Sequence, residues 1–328
     1  MPENAKLLLL DKNHVESLLS MEDAMEATKE AFIYHGQGAG RVFPVVREKL
    51  GTGAVFGIKS GGVESHSLLG FKAAGFWAAN RALGGEPHQA TILLFDPDTG
   101  RPHCVIDGNL VTTLRTGAAG GLGLLQFARR DSKHLCVFGT GTQARIQTRF
   151  ALRLLPQLKS VHYISINGAP DGDFESAVAV EAGAIGCQVS HAVDRDAAVS
   201  VSDVVITATP GTGALFSLDA VQPGTHLNCV GADTEGKREL PEGLLGRAQV
   251  FVDDVAQARQ IGETQWAKDT ACMSLGELLT GQASFERRRE DITVFDMTGI
   301  ALQDLTVAGL LMRRAAAENV GEWINWPW

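Results

Sequence analysis

Leu135–Ala144, Leu-Cys-Val-Phe-Gly-Thr-Gly-Thr-Gln-Ala, is a short apolar run that ends in two glycines one residue apart. This pattern is typical of a buried strand that turns into a helix over a phosphate. Gly139 permits the tight turn, Gly141 lets the backbone come close to a pyrophosphate, and small Ala144 lets the helix pack on its strand. The stretch predicts a dinucleotide site; the alternative is a structural strand–helix turn.

The sequence beyond Ser132 alternates between strand and helix patterns, as a parallel α/β sheet requires. The predicted strands are His134–Phe138, Val161–Ile166, Gln188–His191, Asp203–Thr207, His226–Val230, Gln249–Asp253 and Thr293–Asp296. Helical periodicity fills most of the intervals between them. The glycine turn therefore belongs to a Rossmann-type sheet.

The first hundred residues instead follow a period of two, interrupted by glycine-rich turns. The strands predicted there are residues 7–11, Val42–Leu50, Ala54–Ser60, Leu69–Trp77, Gln89–Phe95 and Pro102–Asp107. One helix is expected to start after Ser20 and run to about His35, and another to cover Asn109–Ala128. This part of the chain is therefore predicted to be mostly antiparallel β.

A last helix, about Leu302–Ala317, is expected to return to the β-rich part of the chain. The predicted fold class is therefore α/β, with a Rossmann-type parallel-sheet domain inserted in a β-rich α+β domain. The inserted domain is assigned residues 127–303, and the β-rich domain residues 1–126 with 304–328.

Composition narrows the class of protein. At 328 residues the chain exceeds the usual size of one hydrophobic core, which favours two domains. A net charge of −9 disfavours nucleic acid, whose binding needs a clustered basic face.

The five cysteines are widely spaced and never in C-x-x-C spacing, so we expect reduced core or near-core thiols and no metal site. No apolar run is long enough for a membrane span or a signal peptide, which predicts a cytoplasmic protein.

Several cations stand in segments where a charge is unusual. Arg115 lies in the apolar stripe of the helix over Asn109–Ala128, where a guanidinium is costly unless an anion meets it. Its partner is either an internal Asp or Glu or a ligand carboxylate. Arg47, Lys59 and Lys72 fall within predicted strands. Together they favour a pocket for a substrate with one or two carboxylates, although strand cations are usually solvated.

Asp233 follows the predicted strand His226–Val230, at the sheet edge where ligands of doubly wound folds bind. We expect it near the nicotinamide as a proton donor, provided that burial or an anionic neighbour raises its pKa from about 3.9. The alternative is a loop Asp that turns the chain or caps a helix. The acid that normally binds the adenosine ribose is replaced by Asn167. Because no Lys or Arg lies between Lys159 and Arg195, NAD is favoured over NADP.

Six stretches taken together resemble the ornithine cyclodeaminase/mu-crystallin family, in order and over nearly the whole chain. They are His88-Gln-Ala-Thr91, Asp107-Gly-Asn109, Leu114-Arg-Thr-Gly-Ala-Ala119, Gly139–Ala144, Val230-Gly-Ala-Asp233 with Lys237 and Glu239-Leu240, and Phe295-Asp-Met-Thr-Gly299. Within the family, the iminosuccinate reductase branch is most similar, on Phe43-Pro-Val-Val-Arg-Glu48, Phe56-Gly-Ile-Lys-Ser-Gly61 and Phe95-Asp-Pro-Asp-Thr-Gly-Arg101.

The resemblance implies a homodimer whose β-rich domains pair and bind substrate, with NAD(P) on the Rossmann domain. It implies NAD(P)H-dependent reduction of an α-imino acid to an L-amino acid, and the expected substrate is iminosuccinate, which gives L-aspartate. Asp233 would transfer the proton and Lys72 would share in catalysis. Arg47, Lys72 and Arg115 would hold the substrate carboxylate. The second carboxylate of iminosuccinate needs its own cation, for which we expect Lys59 with Ser60 beside it. Cofactor binding is expected of Arg115, Thr116, Gly139, Thr140, Gly141, Thr142, Gln143, Ala144, Asn167, Thr209, Val230, Gly231, Thr298 and Gly299.

Two other functions remain open at this stage. One is the cyclodeaminase reaction, in which ornithine loses ammonia and closes to proline with no net consumption of NADH. The other is a non-catalytic, crystallin-like protein that binds NADP and a ligand. The retained set Arg47, Lys72, Arg115 and Asp233 favours an enzyme.

Overall fold

The computed structural model describes residues 5–327. The strands are β1 Ala5–Leu10, β2 Gly40–Val42, β3 Val46–Lys49, β4 Val55–Val63, β5 Leu68–Phe76, β6 His88–Phe95, β7 Pro102–Asp107, β8 His134–Phe138, β9 Ser160–Ile164, β10 Gln188–His191, β11 Val204–Thr207, β12 His226–Cys229, β13 Gln249–Val252, β14 Cys272–Ser274, β15 Thr293–Asp296 and β16 Glu322–Trp326. The α-helices are α1 Lys12–Leu18, α2 Met21–Gly36, α3 Gly108–Phe127, α4 Thr142–Leu154, α5 Gly172–Ile185, α6 Arg195–Ser200, α7 Val255–Ile261, α8 Leu275–Leu279 and α9 Ala301–Glu318.

The described chain divides into two compact units. The first contains the residues up to Arg115 and those from Ile300 onward, and the second contains Thr116–Gly299. The divisions fall within α3 and just before α9, earlier in the chain than the predicted boundaries after residues 126 and 303. The predicted return of the last helix is seen, because α9 packs against β4 and β5 of the first unit.

The first unit is built on a mixed sheet with the strand order β16-β1-β7-β6-β5-β4-β2, and β3 also pairs with β4. Strand pairing is antiparallel except between β1 and β7. The continuous strand predicted over Val42–Leu50 is wrong: β2 ends at Val42 and β3 begins at Val46. Pro44 lies in the gap, where it donates no ladder hydrogen bond.

Two elements of the first unit escaped prediction. Helix α1 is capped by Asp11, whose side chain accepts from His14 N, and the helix is short enough to leave little periodicity. Strand β16 adds to the edge of the sheet beside β1, with Leu8 opposite Trp323. The tryptophan-rich end of the chain is therefore an edge strand, and Trp323 and Trp326 are exposed on it.

The second unit is a parallel sheet of eight strands in the order β10-β9-β8-β11-β12-β15-β13-β14. The predicted strand His134–Phe138 matches β8 at both ends, and β15 also matches its prediction. The strand order reverses between β8 and β11, which is the switch point where doubly wound folds bind ligands. Strand β14 was not predicted, because three residues carry no usable periodicity.

The cysteines and the helices bear on two further expectations. Four cysteines are buried and Cys272 is half-buried, which agrees with the predicted core or near-core thiols. Within residues 5–327, every helix is too short or too polar to cross a membrane.

Candidate active site

The glycine turn leaves open space at the point where the sequence predicts a phosphate. Gly139 has φ +101°, and a Cβ there would lie 2.6 Å from the carbonyl oxygen of Ala208. Gly141 is the N-cap of α4 and makes no side-chain cap hydrogen bond, while a Cβ added to it would meet no atom within 4 Å. The start of α4 is therefore uncapped by a side chain and has open space at Gly141, which suits an anion.

The side chains around this turn have distinct surroundings. Ala144 is fully buried, which lets α4 pack on the sheet, whereas Thr142 is exposed. The buried Oε1 of Gln143 has no hydrogen-bond partner among the described residues. Thr140 accepts a hydrogen bond at its carbonyl from Arg145 Nε, at 2.9 Å. An orphaned buried oxygen beside an uncapped helix start is what a site for a polar ligand should show.

The end of β9 carries the predicted ribose contact in an exposed turn. Asn167 is exposed, and its Oδ1 accepts from Ala169 N at 3.2 Å. Arg145 lies near this turn, with its guanidinium 3.8 Å from Asp171. Arg145 lies outside the interval between Lys159 and Arg195 and is therefore a cation that the prediction of NAD over NADP does not consider. Two acids, Asp171 and Asp173, already flank its guanidinium.

Thr209, Val230 and Gly231 follow β11 and β12 at the carboxyl edge of the sheet. Both Thr209 N and Thr209 Oγ1 donate to Glu239 Oε1, each at 2.7 Å, and Gly231 N donates to Oε2 at 2.9 Å. Val230 is buried. The predicted cofactor residues of these two loops are thus tied together by a buried carboxylate that the sequence alone does not single out as functional.

Asp233 is half-exposed, and its closest charged neighbour is a cation. Its Oδ1 accepts from Lys237 Nζ at 2.7 Å and from Thr234 Oγ1 at 3.1 Å. The sequence argument requires burial or an anionic neighbour, and the salt bridge with Lys237 does not meet that condition. The two side chains form an i,i+4 pair in the loop after β12, next to the strand end where a dinucleotide is expected.

Thr298 and Gly299 are held by Asp253 at the end of β13. Thr298 Oγ1 donates to Asp253 Oδ1 at 2.7 Å, and Gly299 N donates to Oδ2. Gln257 Nε2 adds a hydrogen bond to Thr298 Oγ1 at 2.7 Å. Thr116, another predicted cofactor residue, accepts at its carbonyl from Gln147 Nε2 at 2.8 Å.

Further buried acids lie behind these loops. Asp296 accepts from the backbone N–H groups of Glu263 and Thr264, both at 2.9 Å. Glu263 accepts from Glu239 N at 2.6 Å. Burial, with the neighbouring Asp296 charge, raises the pKa of Glu263 to about 8, and burial raises the pKa of Asp296 to about 7. This part of the second unit therefore retains protons at neutral pH.

These raised pKa values predict a pH dependence of stability. A protonated Glu263 contributes its full stabilisation below the unfolded pKa of 4.5 and loses it as the pH rises through the folded value of about 8. The contribution of Glu263 to the free energy of unfolding should therefore fall between about pH 5 and pH 9. Urea titrations of wild type and Glu263→Gln test this, since the variant should lose less stability over that range. Parallel pH curves for the two proteins would contradict it.

In the first unit, three predicted cations share one face of the sheet. Lys59 of β4 lies opposite Lys72 of β5. Arg47 of β3 lies opposite Gly57 of β4, and Gly57 is two residues before Lys59 on that strand. Because side chains alternate along a strand, all three project from the face that α9 covers. Lys72 is buried, and Arg47 and Lys59 are half-buried.

Lys72 and Arg115 both pair with Asp304, which is fully buried in α9. Lys72 Nζ lies 2.7 Å and Arg115 Nε lies 3.1 Å from Asp304 Oδ1. Burial, with the nearby Arg115 charge, lowers the pKa of Lys72 to about 7, and Asp304 opposes that shift. Arg115 is predicted to need either an internal acid or a ligand carboxylate, and Asp304 is such an internal acid.

This buried cluster nevertheless retains unmet polar groups. Arg115 also donates to Gln303 Oε1 at 2.8 Å, but Gln303 Nε2 and Asp304 Oδ2 are buried and have no hydrogen-bond partner among the described residues. An unsatisfied donor and an unsatisfied acceptor beside three cations fit a polar ligand. Lys59 also acts electrostatically on both Lys72 and Asp304.

The suggestion that Ser60 acts beside Lys59 is wrong for the cluster on this face. Ser60 lies opposite Phe71, whereas Lys59 lies opposite Lys72, so the two neighbours project from opposite faces of β4. Adjacent residues of a strand cannot both reach the same ligand on one face. Ser60 is therefore left out of the substrate site proposed below.

The part of the sheet next to the cations is floored by small residues. Gly57, Ala74 and Ala90 are register partners across β4, β5 and β6, in the row beside Lys59 and Lys72. His88 is on the same face and shares a 3.2 Å hydrogen bond with Asn109. Burial and the nearby Lys72 charge lower the pKa of His88, so its imidazole is neutral at pH 7.

Sequence reasoning missed Gln303, Asp304 and Glu239 as functional candidates. Asp304 lies within the apolar pattern of the last helix, and a charge in such a stripe is the same signal that identifies Arg115. Glu239 gives no such signal, because its loop has no periodicity. It stands out only as part of a family motif.

Comparison with known proteins places this geometry in context. The family model described as "Ornithine cyclodeaminase/mu-crystallin family" matches residues 5–319. The iminosuccinate reductase of Paracoccus denitrificans (strain Pd 1222) is 35% identical over 324 residues, covering 96% of this chain and 99% of the relative.

Two solved structures also match at full length. An archaeal alanine dehydrogenase dimer with bound NAD gives a TM-score of 0.88 at 30% identity, covering 98% of this chain and 99% of that chain. The Paracoccus denitrificans iminosuccinate reductase in complex with NAD⁺ gives a TM-score of 0.87 at 32% identity, covering 98% and 100%. Both relatives therefore share the fold over both units.

Proposed function

Because the chain belongs to the ornithine cyclodeaminase/mu-crystallin family, we propose that it reduces an α-imino acid to an L-amino acid with NADH, and that iminosuccinate, giving L-aspartate, is the substrate. The chain is an NAD-dependent oxidoreductase, like its iminosuccinate reductase and alanine dehydrogenase relatives. The identity of the imine is the part that needs support from the site.

The second unit fits the cofactor. The open space at Gly141, the uncapped start of α4 and the orphaned Gln143 oxygen suit a pyrophosphate. The proposed holding residues are the turn Gly139–Ala144 for the phosphates, Asn167 for the ribose, and the loops at Thr209, Val230–Gly231 and Thr298–Gly299 for the nicotinamide half. Arg115 and Thr116, at the point in α3 where the two units divide, are also proposed cofactor residues. When bound, NADH supplies the hydride for the imine carbon.

The basic residues of the first unit support the choice of substrate. Arg47, Lys59 and Lys72 lie on one partly buried face of the sheet, and Lys72 and Arg115 both pair with Asp304. A ligand with two carboxylates can meet more of these basic side chains than a ligand with one. A dicarboxylic imine therefore fits better than a monoacid.

The remaining polar groups can orient and protonate such a ligand. Gln303 Nε2 is an unsatisfied donor for a carboxylate, and Asp304 Oδ2 is an unsatisfied acceptor for an N–H group. Lys72, with a pKa of about 7, can hold or release a proton near neutral pH. We assign proton transfer to the substrate nitrogen to Asp233, since the imine carbon accepts hydride more readily when that nitrogen is protonated. Fixing both carboxylates orients the reacting carbon.

The proposed assembly is a homodimer formed through the other face of the first sheet. That face carries half-buried apolar side chains, namely Phe56, Ile58, Leu69, Phe71, Leu93 and Phe95. Such a continuous apolar face on one chain is typical of an interface. The archaeal alanine dehydrogenase relative is a dimer. The cytoplasmic location stays a prediction.

A screen of NADH oxidation tests the proposed reaction. Oxaloacetate with ammonia should oxidise NADH faster than pyruvate or 2-oxobutyrate with ammonia, because only the first forms a dicarboxylic imine. Release of ammonia from ornithine without net change in NADH would instead establish the cyclodeaminase reaction. Binding of the nucleotide without turnover of any of these substrates would establish the crystallin-like alternative.

The variant Lys59→Met tests whether Lys59 binds the second carboxylate of the substrate. If Lys59 holds the second carboxylate, the variant should raise KM for iminosuccinate by about 10- to 100-fold, as loss of a charge-assisted hydrogen bond does. KM for the imine of pyruvate should change little. Steady-state kinetics with the two keto acids and ammonia make the comparison, and an equal change in both KM values would remove Lys59 from that role.

A further inference from the structure

The segment between β12 and Leu240 is a loop whose two ends are joined by one side chain. The loop begins at Gly231 and ends at Glu239, and Gly231 N donates to Glu239 Oε2 at 2.9 Å. Glu239 is fully buried. Asp233 and its salt-bridge partner Lys237 lie between these ends.

The same carboxylate also ties the loop to the neighbouring strand. Thr207 Oγ1, at the end of β11, donates to Oε2 at 2.7 Å, and Thr209 donates through both its N–H and its hydroxyl to Oε1. All four donors are neutral. The backbone of Glu239 is fixed as well, because its N–H donates to Glu263 at 2.6 Å and its carbonyl accepts from Leu215 N at 2.9 Å.

The packing around Gly231 leaves the loop little freedom at its start. A Cβ on Gly231 would lie 2.2 Å from the carbonyl oxygen of Thr209 and 2.5 Å from the Glu239 carboxyl group. Farther along, Gly236 N donates to Gln265 Oε1 at 2.8 Å, which anchors the tip of the loop to another segment. The Glu239 hydrogen bonds therefore hold both ends of the loop that carries Asp233, and this anchor holds its tip.

From these contacts we infer that Glu239 is a positioning residue that closes the 231–239 loop onto the ends of β11 and β12 and thereby aims Asp233 for proton transfer. The inference rests on the proposed function of Asp233. A displacement of about 1 Å in a reacting group can cost on the order of a hundredfold in rate, so a clamp of this kind matters for turnover.

The chemistry of the clamp requires a carboxylate. Each oxygen accepts one backbone N–H, from Thr209 on one side and from Gly231 on the other. A glutamine can present an oxygen to only one of them, and its NH₂ group must face the other N–H whichever way the amide is turned. Glu239→Gln therefore keeps the size of the side chain but loses one backbone hydrogen bond of the clamp.

Asp203→Asn provides a matched control in the same sheet. Asp203 pairs with Arg129 and accepts from the backbone N–H groups of Lys133 and His134, at the edge of the sheet where β8 and β11 begin. This edge is opposite the one that carries Asp233. Asp203→Asn thus changes a carboxylate that accepts backbone N–H groups, as Glu239 does, but that does not contact the 231–239 loop in the hydrogen bonds described above.

The experiment is a double-mutant cycle at saturating NADH, using the keto acid and ammonia pair that gives the fastest wild-type turnover. Glu239→Gln should lower kcat by about tenfold or more, whereas Asp203→Asn should stay within about twofold of wild type. In an Asp233→Asn background, Glu239→Gln should add less than about threefold, because residues that act through one another are not additive.

Two results would overturn the inference, and they differ from failure of the proposed function. The clamp does not act through Asp233 if Glu239→Gln lowers kcat no more than Asp203→Asn does. The same conclusion follows if Glu239→Gln lowers kcat by the same factor in the Asp233→Asn background as in wild type. If Asp233→Asn itself keeps wild-type turnover, the proton-transfer role fails, and the inference fails with it. Should Glu239→Gln not fold, Thr207→Val removes one donor to Oε2 and should show a smaller loss of kcat that likewise disappears in the Asp233→Asn background.

Discussion

Asp233→Asn is expected to bind NADH as tightly as wild type and to turn over about 10²- to 10⁴-fold more slowly, the usual contribution of a positioned general acid. Asparagine keeps the shape of the side chain and can still accept from Thr234 and Lys237, so the loop should keep its conformation. It cannot donate and regain a proton. Fluorescence titration with NADH and stopped-flow turnover under identical conditions separate binding from catalysis.

A suitable control for this loop is Lys237→Met, which removes the cation of the salt bridge but leaves the carboxylate. It should change the pH dependence of kcat while retaining much more activity than Asp233→Asn. Wild-type turnover in Asp233→Asn would remove Asp233 from the mechanism. An equal loss of NADH affinity and of turnover would show instead that the variant damages the cofactor loops.

Arg115→Met should have the second large effect, on stability and on substrate binding together. The change removes one of the two cations that form salt bridges with the fully buried Asp304 carboxylate, and breaking a buried ion pair typically costs about 3 kcal/mol or more in the free energy of unfolding. It also removes a proposed carboxylate ligand, so KM for the imine should rise by roughly a hundredfold. Urea unfolding and steady-state kinetics measure the two effects.

Arg314→Met gives the comparison within the same unit. Arg314 also lies on α9 and pairs with an acid, Asp23, but both side chains are partly exposed. A partly exposed ion pair costs less to break than a fully buried one, so the variant should lose less stability than Arg115→Met and keep the wild-type KM. If Arg115→Met matched Arg314→Met in both measurements, the buried cluster would be neither a structural centre nor a substrate site.

Periodicity and glycine spacing predict most of the fold from the sequence. The alternation beyond Ser132 and the turn at Gly139–Ala144 are enough for the parallel sheet, because each strand there is a short apolar run between helices. Short elements such as α1, β14 and β16 are missed for lack of a full period. The break in the strand at Pro44 is missed by periodicity as well, although proline is a recognisable signal.

The candidate site is harder to derive, because its contacts join distant parts of the chain. The sequence shows that Arg115 needs an anion, but not that Asp304, on the returning helix, supplies it. The separation of Ser60 from Lys59 is different, because it follows from strand alternation and is already contained in the sequence. The role of Glu239 depends on hydrogen bonds from Thr207, Thr209 and Gly231, which only a folded arrangement brings together.

The proposed reaction is tested most directly by following the hydride itself. The enzyme is incubated with oxaloacetate, ammonia and NADH in which both hydrogens at C4 are deuterium, and the amino acid formed is analysed by mass spectrometry and chiral chromatography. The account predicts L-aspartate with one deuterium at C2, formed in step with NADH oxidation. Oxidation of NADH that yields deuterated malate, or no deuterated amino acid, would contradict it.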